Sequence, residues 1–299
     1  MPFILERSQN RRSFVRNGAM ITLGGMLGQV VPRAAETQNS KSLRLAILSD
    51  THIPADRSNE YRGFKPWQNL QRIVPEIIRD SPEGVLINGD AARLTGEKED
   101  YQELKGLLAP LLRECPAYIG LGNHDHYDNF VSTMQPDSRL QAKVSNKNVI
   151  VVEHPSVRVI QLDSLLYVNK VAGLLGREQR AWLNAFLSES DKRPTVLFVH
   201  HTLGDGDGDL LDADRLFGIL RLHSQVKAVF YGHSHRYEYG KRDGLHLINL
   251  PAVGYNFNDA QPVGWLGASF DQQGVALTLH AFGGNMADDA KTVRLNWNG

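Results

Sequence analysis

The sequence predicts an α/β fold in which two mixed β-sheets, flanked by helices, form a four-layer α-β-β-α sandwich. Two observations support this prediction. In the first half of the chain, apolar runs of strand length alternate with segments of helical period. In the second half, strand-like runs mostly follow one another. Since parallel strands need helices on both faces of their sheet, and consecutive strands favour antiparallel additions, a two-sheet core accommodates both halves.

The first half contains three predicted strands separated by two amphipathic helices. The strand-like runs are Leu43–Leu48, residues 85–87 and Ala117–Gly120. In each intervening segment, apolar residues recur at i, i+3, i+4, i+7 and i+8, which places them on one face of a helix. The two stripes consist of Leu70, Ile73, Val74, Ile77 and Ile78, and of Leu104, Leu107, Leu108, Leu111 and Leu112.

Beyond Val149 the pattern changes to pairs of strands with two further helices, and the stretch after Leu245 is mostly β. The sequence therefore predicts one large domain over residues 43–299. The helices of this half are residues 178–187 and 214–222, and its clearest strands are residues 196–199 and Val226–Tyr231.

The composition is that of a folded protein with a sizeable core. Of the 299 residues, 41% are hydrophobic and 22% are charged. The 33 basic residues equal the 33 acidic residues, so the chain lacks the broad positive field of a nucleic-acid-binding protein, and we expect no nucleic-acid partner. The single cysteine, Cys115, excludes an intramolecular disulfide.

The N-terminus differs from the rest of the chain. The run RRSFVR at residues 11–16 precedes a mildly apolar stretch at residues 18–31. This order resembles a twin-arginine signal peptide. The stretch is shorter than the about 20 apolar residues of a membrane-spanning helix, so we expect no stable membrane span. The resemblance implies that the twin-arginine export machinery delivers the folded protein to the periplasm or beyond. Residues 1–36 would be the signal and residues 37–42 a linker; the alternative is a frayed basic N-terminus.

Five polar clusters follow the predicted strands. Because the carboxyl ends of strands in α/β sheets meet at one edge, side chains from separate strands can converge there. Alternate residues of extended backbone point the same way, so Asp50 with His52, and His233 with His235, each offer two groups to one point. The clusters are Asp50-Thr51-His52, Gly89-Asp90, Gly122-Asn123-His124-Asp125, His200-His201 and Gly232-His233-Ser234-His235.

The chemistry of these clusters favours a metal site. Carboxylate oxygen, imidazole nitrogen and amide oxygen together suit divalent or trivalent transition ions such as iron, manganese or zinc. A single Gly-Asp pair is more often a turn, but five clusters in this order, each after a strand, favour convergence on metal. The run DGDGD at residues 205–209 resembles the start of a calcium loop but lacks the glycine and glutamate that such a loop needs. We therefore interpret it as a flexible acidic loop.

The five clusters resemble the pattern of the calcineurin-like metallophosphoesterase superfamily: Asp-x-His, Gly-Asp, Gly-Asn-His-Asp/Glu, His and Gly-His-x-His. The match extends from about Leu43 to Leu279. The resemblance implies hydrolysis of a phosphoester by two metal ions and a hydroxide that bridges them. It implies that Asp50, His52, Asp90 and His235 hold one ion and that Asp90, Asn123, His200 and His233 hold the other, with Asp90 between the two.

The resemblance gives His124 a separate role, in which it stabilises charge or protonates the leaving oxygen of the ester. Asp125 is expected to brace this motif by hydrogen bonding. Some superfamily members orient the histidine with an acidic residue shortly after Gly-Asp, but Asp90 is followed here by Ala-Ala-Arg. Backbone or Asp125 must therefore orient His124. We expect His200 rather than His201 to bind metal, because adjacent residues on a strand point to opposite sides.

The substrate is less well defined. Gly96 and Tyr101, which follow Gly-Asp, together with the β-rich C-terminal stretch, resemble the cyclic-nucleotide phosphodiesterase branch, whereas Thr202 after His-His departs from it. We therefore expect a small phosphoester substrate, either a diester or a monoester. The candidates for substrate contact are His126 and Tyr127, for which a solvated loop is the alternative, and Tyr255 and Asn256.

Two other functions compete with phosphoester hydrolysis. A non-catalytic binding scaffold of the same fold is disfavoured because every ligand position is filled, and buried ionisable groups without metal are costly. A metal-dependent nuclease is disfavoured because contacts to a phosphate backbone demand lysine and arginine, and the chain is neutral.

Overall fold

The computed structural model describes residues 42–135 and 144–297. The predicted signal peptide and, apart from Ser42, the predicted linker lie outside these residues. Within them, no helix has the length and apolarity that crossing a bilayer requires. The elements in chain order are β1 (Leu43–Leu48), α1 (Pro66–Asp80), β2 (Gly84–Asn88), α2 (Lys98–Glu114), β3 (Ala117–Gly120), α3 (Tyr127–Met134), β4 (Ile150–Glu153), β5 (Arg158–Gln161), α4 (Arg177–Glu189), β6 (Thr195–Phe198), α5 (Ala213–Leu220), β7 (Val226–Tyr231), β8 (Glu238–Arg242), β9 (Leu245–Asn249), β10 (Pro262–Phe270), β11 (Gly274–Gly284) and β12 (Thr292–Asn296).

The strands form two mixed sheets. The first has the order β12-β11-β10-β1-β2-β3, and the second has the order β4-β5-β6-β7-β9-β8. In the first sheet β1, β2 and β3 are parallel. Strand β10 pairs antiparallel with β1, β11 pairs antiparallel with β10, and β12 pairs antiparallel with β11. In the second sheet β5, β6, β7 and β9 are parallel, and β4 and β8 lie antiparallel at the two edges. The parallel strands of each sheet end at the edge where the polar clusters were predicted.

Three apolar clusters separate four layers. The first cluster fills the space between the two sheets and consists of buried residues from both. It includes the stacked rings of Phe198 and Phe230, whose centroids are 4.6 Å apart. Helices α1, α2 and α3 pack on the other face of the first sheet. Helices α4 and α5 pack on the second sheet. The predicted α-β-β-α sandwich is confirmed.

The first two helices begin and end as their sequences dictate. Pro66 opens α1, where its missing N–H leaves no hydrogen bond unmade. Glu97 and Asp100 form a capping box at the start of α2. The predicted stripe of α2 is buried up to Leu111, but Leu112 is exposed. The apolar face of this helix is therefore one residue shorter than the sequence predicted.

Helix α3 is absent from the sequence prediction. It begins at Tyr127, and the side chain of His126 caps it by accepting a hydrogen bond from the backbone N–H of Asn129 (3.4 Å). Histidine is not among the residues that usually mark a helix start, so the sequence carries no clear signal for this one. The alternative of a solvated loop at Tyr127 is therefore wrong.

The Phe198–Phe230 pair predicts where the fold is most sensitive to truncation. Both rings are fully buried between the sheets, so Phe198→Ala or Phe230→Ala should each lower the free energy of unfolding by about 3–5 kcal/mol. Urea denaturation measures the loss. Leu222→Ala, at a side chain that is 73% exposed, is the control and should change stability by less than about 0.5 kcal/mol. Equal losses in all three variants would contradict this account of the core.

Candidate metal centre

The structure brings the predicted clusters together. Asp50, Asp90, His200 and His233 each lie two residues beyond the end of a parallel strand, namely β1, β2, β6 and β7. The Nε2 atom of His200 is 3.3 Å from Asp90 Oδ2 and 3.9 Å from Asp50 Oδ1. The Nε2 atom of His235 is 3.3 Å from Asp50 Oδ1. Both sheets therefore contribute side chains to one site at their shared edge.

The backbone at this edge differs from the prediction. Asp50 and His52 have φ values of 51° and 46°, and His233 and His235 have φ values of 70° and 51°. These values lie in the left-handed region, so the prediction that alternate residues of extended backbone aim each pair is wrong. Each such residue costs on the order of 1–3 kcal/mol, although Asp and His tolerate the region better than most. The turns that follow the strands, rather than the strands, aim these side chains.

Two glycines allow the carboxylates to approach the backbone. A Cβ atom added at Gly122 would overlap the Oδ1 atom of Asp90, and one added at Gly232 would lie 2.6 Å from the Oδ2 atom of Asp50. Any side chain at these positions would displace a carboxylate. The glycines in the Gly-Asn-His-Asp and Gly-His-x-His motifs are therefore required by the packing of the site.

Backbone carbonyls orient two of the imidazoles. The Nδ1 atom of His200 donates to the carbonyl of Asn88 (2.9 Å), and that of His235 donates to the carbonyl of Tyr255 (2.6 Å). A carbonyl can only accept, so Nδ1 carries the hydrogen in both rings. The Nε2 atoms are left to face the carboxylates, an arrangement typical of metal-binding histidines.

The donor set fits transition metals. The ligand atoms of Asp50, His52 and His235 lie within 4.8 Å of one another, and so do those of Asp90, His200 and His233. A third group of the same kind is formed by His52, Asp90 and His124. The Nε2 atoms of His52 and His235 are only 3.1 Å apart, and imidazole nitrogens and carboxylates suit iron, manganese or zinc.

Asn123 offers a further observation. Its Oδ1 atom is buried and has no hydrogen-bond partner among the described residues. An orphaned acceptor beside this cluster is expected if it binds a cation. The residues therefore fit a metal centre.

The electrostatics of the site require positive charge. Burial would raise the pKa of Asp50, but the imidazoles of His235 and His200 hold it well below its usual range. Burial would likewise raise the pKa of Asp90, but His200, His52 and His124 together lower it. Despite burial, Asp90 and Asp50 raise the pKa of His200 to about 10. Both carboxylates are thus held ionised in a nearly water-free site, where an unpaired negative charge is costly.

His124 lies at the His52 end of the site, with the two ring centroids 5.3 Å apart. Its backbone N–H donates to Asp90 Oδ1 (2.9 Å), and its Nδ1 atom donates to the carbonyl of Leu94 (2.8 Å). A backbone carbonyl therefore replaces the acidic residue that orients this histidine in some superfamily members. The ring is partly exposed.

Asp125 braces the motif, as predicted. Its carboxylate accepts hydrogen bonds from the backbone N–H groups of Gly122, Ala91 and Ala92, at 2.8–3.1 Å, and from the hydroxyl of Tyr101 (2.9 Å). Burial, and then the nearby Asp90, raise the pKa of Asp125 to about 6. One fully buried carboxylate thus ties the segment after β2 to the segment after β3.

Three other histidine and tyrosine candidates have structural contacts. His126 caps α3, and Tyr127 packs against the apolar cluster beside the first sheet. Nothing in these contacts supports a substrate role for either residue, which stays a prediction. His201 is buried, with its Nδ1 atom 2.7 Å from the hydroxyl of Ser164. Its ring also lies against those of His200 and His233, with centroids 5.1 Å and 4.9 Å apart, so the choice of His200 over His201 as a ligand stays a prediction.

The last two predicted substrate contacts, Tyr255 and Asn256, lie in the loop after β9, and only Tyr255 lies against the metal site. Tyr255 stacks on His52 with centroids 4.9 Å apart, so it lies directly against the site. Asn256 is fully buried, and its amide donates to the carbonyl of Gln261 (2.8 Å), which gives its predicted substrate contact no support. Phe257, which was not among the predicted candidates, stacks on His235 with centroids 4.2 Å apart. Its position two residues after Tyr255 is the only local signal that could have marked it.

The two-sheet sandwich with clustered Asp and His side chains at one edge defines a class of metal-dependent hydrolase, and comparison with known proteins agrees. Residues 43–237 match the family model of the calcineurin-like phosphoesterases. The chain is 25% identical over 227 residues to a probable cyclic nucleotide phosphodiesterase of Vesicomyosocius okutanii subsp. Calyptogena okutanii (strain HA). This alignment covers 74% of this chain and 91% of that protein. It is 26% identical over 230 residues to the glycerophosphodiester phosphodiesterase GpdQ of Enterobacter lignolyticus (strain SCF1). This alignment covers 73% of this chain and 81% of that protein.

A solved structure shares the fold. A dimetal phosphatase from Danio rerio superimposes with a TM-score of 0.67 at 14% identity, covering 85% of this chain and 99% of that one. The chain belongs to the calcineurin-like phosphoesterase family. It is a metal-dependent phosphoesterase, a hydrolase of ester bonds.

The hydrogen bonds of Asp125 predict its effect on stability. Asp125→Ala leaves three backbone N–H groups and one hydroxyl without an acceptor, so it should lower the free energy of unfolding by about 3–5 kcal/mol. The matched variant Tyr101→Phe removes one hydroxyl and should cost about 1–2 kcal/mol. Urea denaturation in the presence of a chelator measures both without a contribution from bound metal. If the two losses are equal, Asp125 does not brace the motif.

Proposed function

We propose that the protein hydrolyses small phosphodiesters with the help of two bound metal ions, each iron, manganese or zinc. The observation that carries this proposal is the position of Asp90 between two groups of donors. Its Oδ2 atom is 3.7 Å from the Nε2 atom of His52 and 3.3 Å from that of His200. One carboxylate within reach of both groups is what a two-metal site with ions about 3.5–4 Å apart requires.

The same geometry supports an assignment of the ligands. Asp50, His52 and His235 would hold one ion, and His200 and His233 would hold the other, because two of the three groups of neighbouring donors contain these residues. The third group joins His124 to His52 and Asp90, but we assign no ligand role to His124 because its Nδ1 atom donates to the carbonyl of Leu94 and its ring is partly exposed. Asp90 would belong to both. Asn123 would complete the second group with its orphaned Oδ1 atom.

Metal and protein would divide the chemistry between them. Bound ions of this kind supply positive charge for the phosphate oxygens and lower the pKa of water. The protein's own contribution is to hold Asp50 and Asp90 ionised and to exclude bulk water from them. Their positions are fixed by the N–H of His233, which donates to Asp50 (3.2 Å), and by the N–H of His124, which donates to Asp90.

In this proposal His124 would act on the leaving oxygen. The carbonyl of Leu94 keeps the hydrogen on Nδ1 in both charge states of the ring. The protonated ring can therefore give the Nε2 proton to the departing alkoxide, which leaves as an alcohol, and the ring becomes neutral with Nδ1–H retained. Such a proton transfer is worth roughly 10²–10⁴-fold in rate.

The relatives support a diester rather than a monoester. The two described above are named as a cyclic nucleotide phosphodiesterase and a glycerophosphodiester phosphodiesterase. Their names share the diester but not the organic group attached to it.

We also propose that the protein is exported in its folded state. The support is the run RRSFVR at residues 11–16 and the mildly apolar stretch that follows it. Transport of the folded chain would allow the metal ions to be loaded before export.

Metal content and turnover together test the proposed function. Asp90→Asn keeps the shape of the side chain but removes the shared charge, so it should abolish binding of both ions. His124→Ala should retain two equivalents of metal while kcat on glycerophosphoethanolamine, whose alkoxide leaving group needs a proton, falls roughly 10²–10⁴-fold. Plasma emission spectroscopy gives the metal content, and the wild type should prefer the diester bis-p-nitrophenyl phosphate to the monoester p-nitrophenyl phosphate. Two equivalents of metal in Asp90→Asn would refute the ligand assignment.

Cell fractionation tests the export proposal. Replacing Arg11 and Arg12 together by lysine should retain the full-length protein in the cytoplasm. The Arg16→Lys variant keeps the arginine pair, so more of it should be exported than of the double variant. Equal export of the double variant and the wild type would contradict the twin-arginine route.

A further inference from the structure

Three aromatic side chains from two loops cover one end of the metal centre. Tyr61 contacts Tyr255 with ring centroids 4.6 Å apart, and Tyr255 contacts Phe257 at 5.7 Å. Tyr61 and Phe257 also meet edge to face at 6.5 Å. We call these three residues the aromatic wall.

The aromatic wall lies against the proposed ligands of one ion only. Tyr255 stacks on His52 (4.9 Å), and Phe257 stacks on His235 (4.2 Å). His52 is also the ring that lies next to His124. The aromatic wall and the proposed proton donor therefore share the same end of the site.

Contacts outside the site hold the aromatic wall in place. Tyr61 exchanges two backbone hydrogen bonds with Phe64, each 2.9 Å, so its loop closes as a tight turn. The guanidinium of Arg62 pairs with Asp259 of the other loop at 2.6 Å. The two loops that carry the aromatic wall are thus linked to each other as well as to the metal centre.

The exposure of the rings indicates what they do. Tyr255 is only 8% exposed, as expected of a ring that supports the ligand histidines. Phe257 is 51% exposed and Tyr61 is 42% exposed. Neither ring is needed to fill the core, and aromatic faces open to solvent beside a reaction centre are available to stack on a ligand.

We propose that the aromatic wall binds a planar aromatic ring on the leaving group of the ester. This inference rests on the proposed function, because it needs His124 to mark the side from which the leaving group departs. Esters whose organic groups carry a nucleobase or an aryl ring would be preferred over esters of glycerol. Stacking suits the rings because it needs a flat partner and no further polar groups.

Paired substrates and matched variants test the proposal in the full-length protein loaded with Mn²⁺. The substrates are bis-p-nitrophenyl phosphate, with aryl leaving groups, and glycerophosphoethanolamine, with aliphatic ones. The variants are Phe257→Ala, Phe257→Leu, Phe257→Tyr and Tyr61→Ala. Leu222→Ala is the control, because it truncates an exposed apolar side chain that precedes β7 and so lies at the opposite end of this strand from the site.

Loss of the ring should act on the aryl ester. Phe257→Ala, Phe257→Leu and Tyr61→Ala should each lower kcat/KM for that substrate roughly tenfold or more, mainly through KM, and affect the aliphatic ester less. Phe257→Tyr, which keeps a flat ring, should restore the wild-type preference. Leu222→Ala should leave kcat/KM unchanged for both substrates. Equal losses on both esters, or wild-type behaviour of Phe257→Leu, would overturn the proposal, the latter because simple apolar burial would then suffice.

Calorimetry separates this inference from the proposed function. The wild type should bind adenosine 5′-monophosphate more tightly than glycerol 3-phosphate, and Phe257→Ala should abolish that difference. A wild type that hydrolyses neither ester would refute the proposed function, but the calorimetric difference would still support the aromatic wall. Equal affinity of the wild type for the two phosphates would refute the aromatic wall whatever the hydrolytic activity.

Discussion

Two carboxylates held ionised in a nearly water-free site are the constraint on which the rest of this structure depends. Asp50 and Asp90 are both almost completely buried, and each makes ionisation of the other less favourable. Such an arrangement is stable only if positive charge lies between or beside them. In the protein alone that charge is the proton on His200, whose pKa the carboxylates raise to about 10. Metal cations at the same place would satisfy both carboxylates and allow His200 to bind as a neutral ligand.

The left-handed backbone and the required glycines of the site follow from this constraint. Left-handed backbone at Asp50, Asp90 and His235 is unfavourable, yet it aims side chains from separate strands at one place. Glycine is needed at Gly122 and Gly232 because a Cβ atom there would occupy the space of a carboxylate. The apolar layers on both sides of each sheet supply the stability that offsets these local costs.

Much of the architecture could be predicted because its causes are local in the sequence. The apolar stripe of α1 and the strand-like run of β1 each report the periodicity of a single element, and the site residues stand directly after such strands. The left-handed turns could not be predicted from that periodicity, because it carries no information about backbone beyond the strand end. The hydrogen bond from His124 to the carbonyl of Leu94 could not be predicted either, because every residue has a backbone carbonyl and the residue type does not mark it.

The aromatic wall shows the same limit at longer range. Tyr61 and Phe257 are nearly 200 residues apart and become neighbours only because the loop after β9 crosses to the end of β1, where Val253 N–H donates to the carbonyl of Ser49 (2.9 Å). The fold sets this contact and no local pattern announces it. Family membership identifies the chain as a metal-dependent phosphoesterase, and in our proposal the surrounding loops select the ester.

The central claim is that Asp90 lies between two cations. A crystal structure of the protein soaked in Mn²⁺, with anomalous difference maps recorded at the manganese edge, tests it most directly. The account predicts two peaks about 3.5–4 Å apart, one beside Asp50, His52 and His235 and one beside His200 and His233, with a carboxylate oxygen of Asp90 in contact with each. A single peak, or two peaks that do not both contact Asp90, would contradict it.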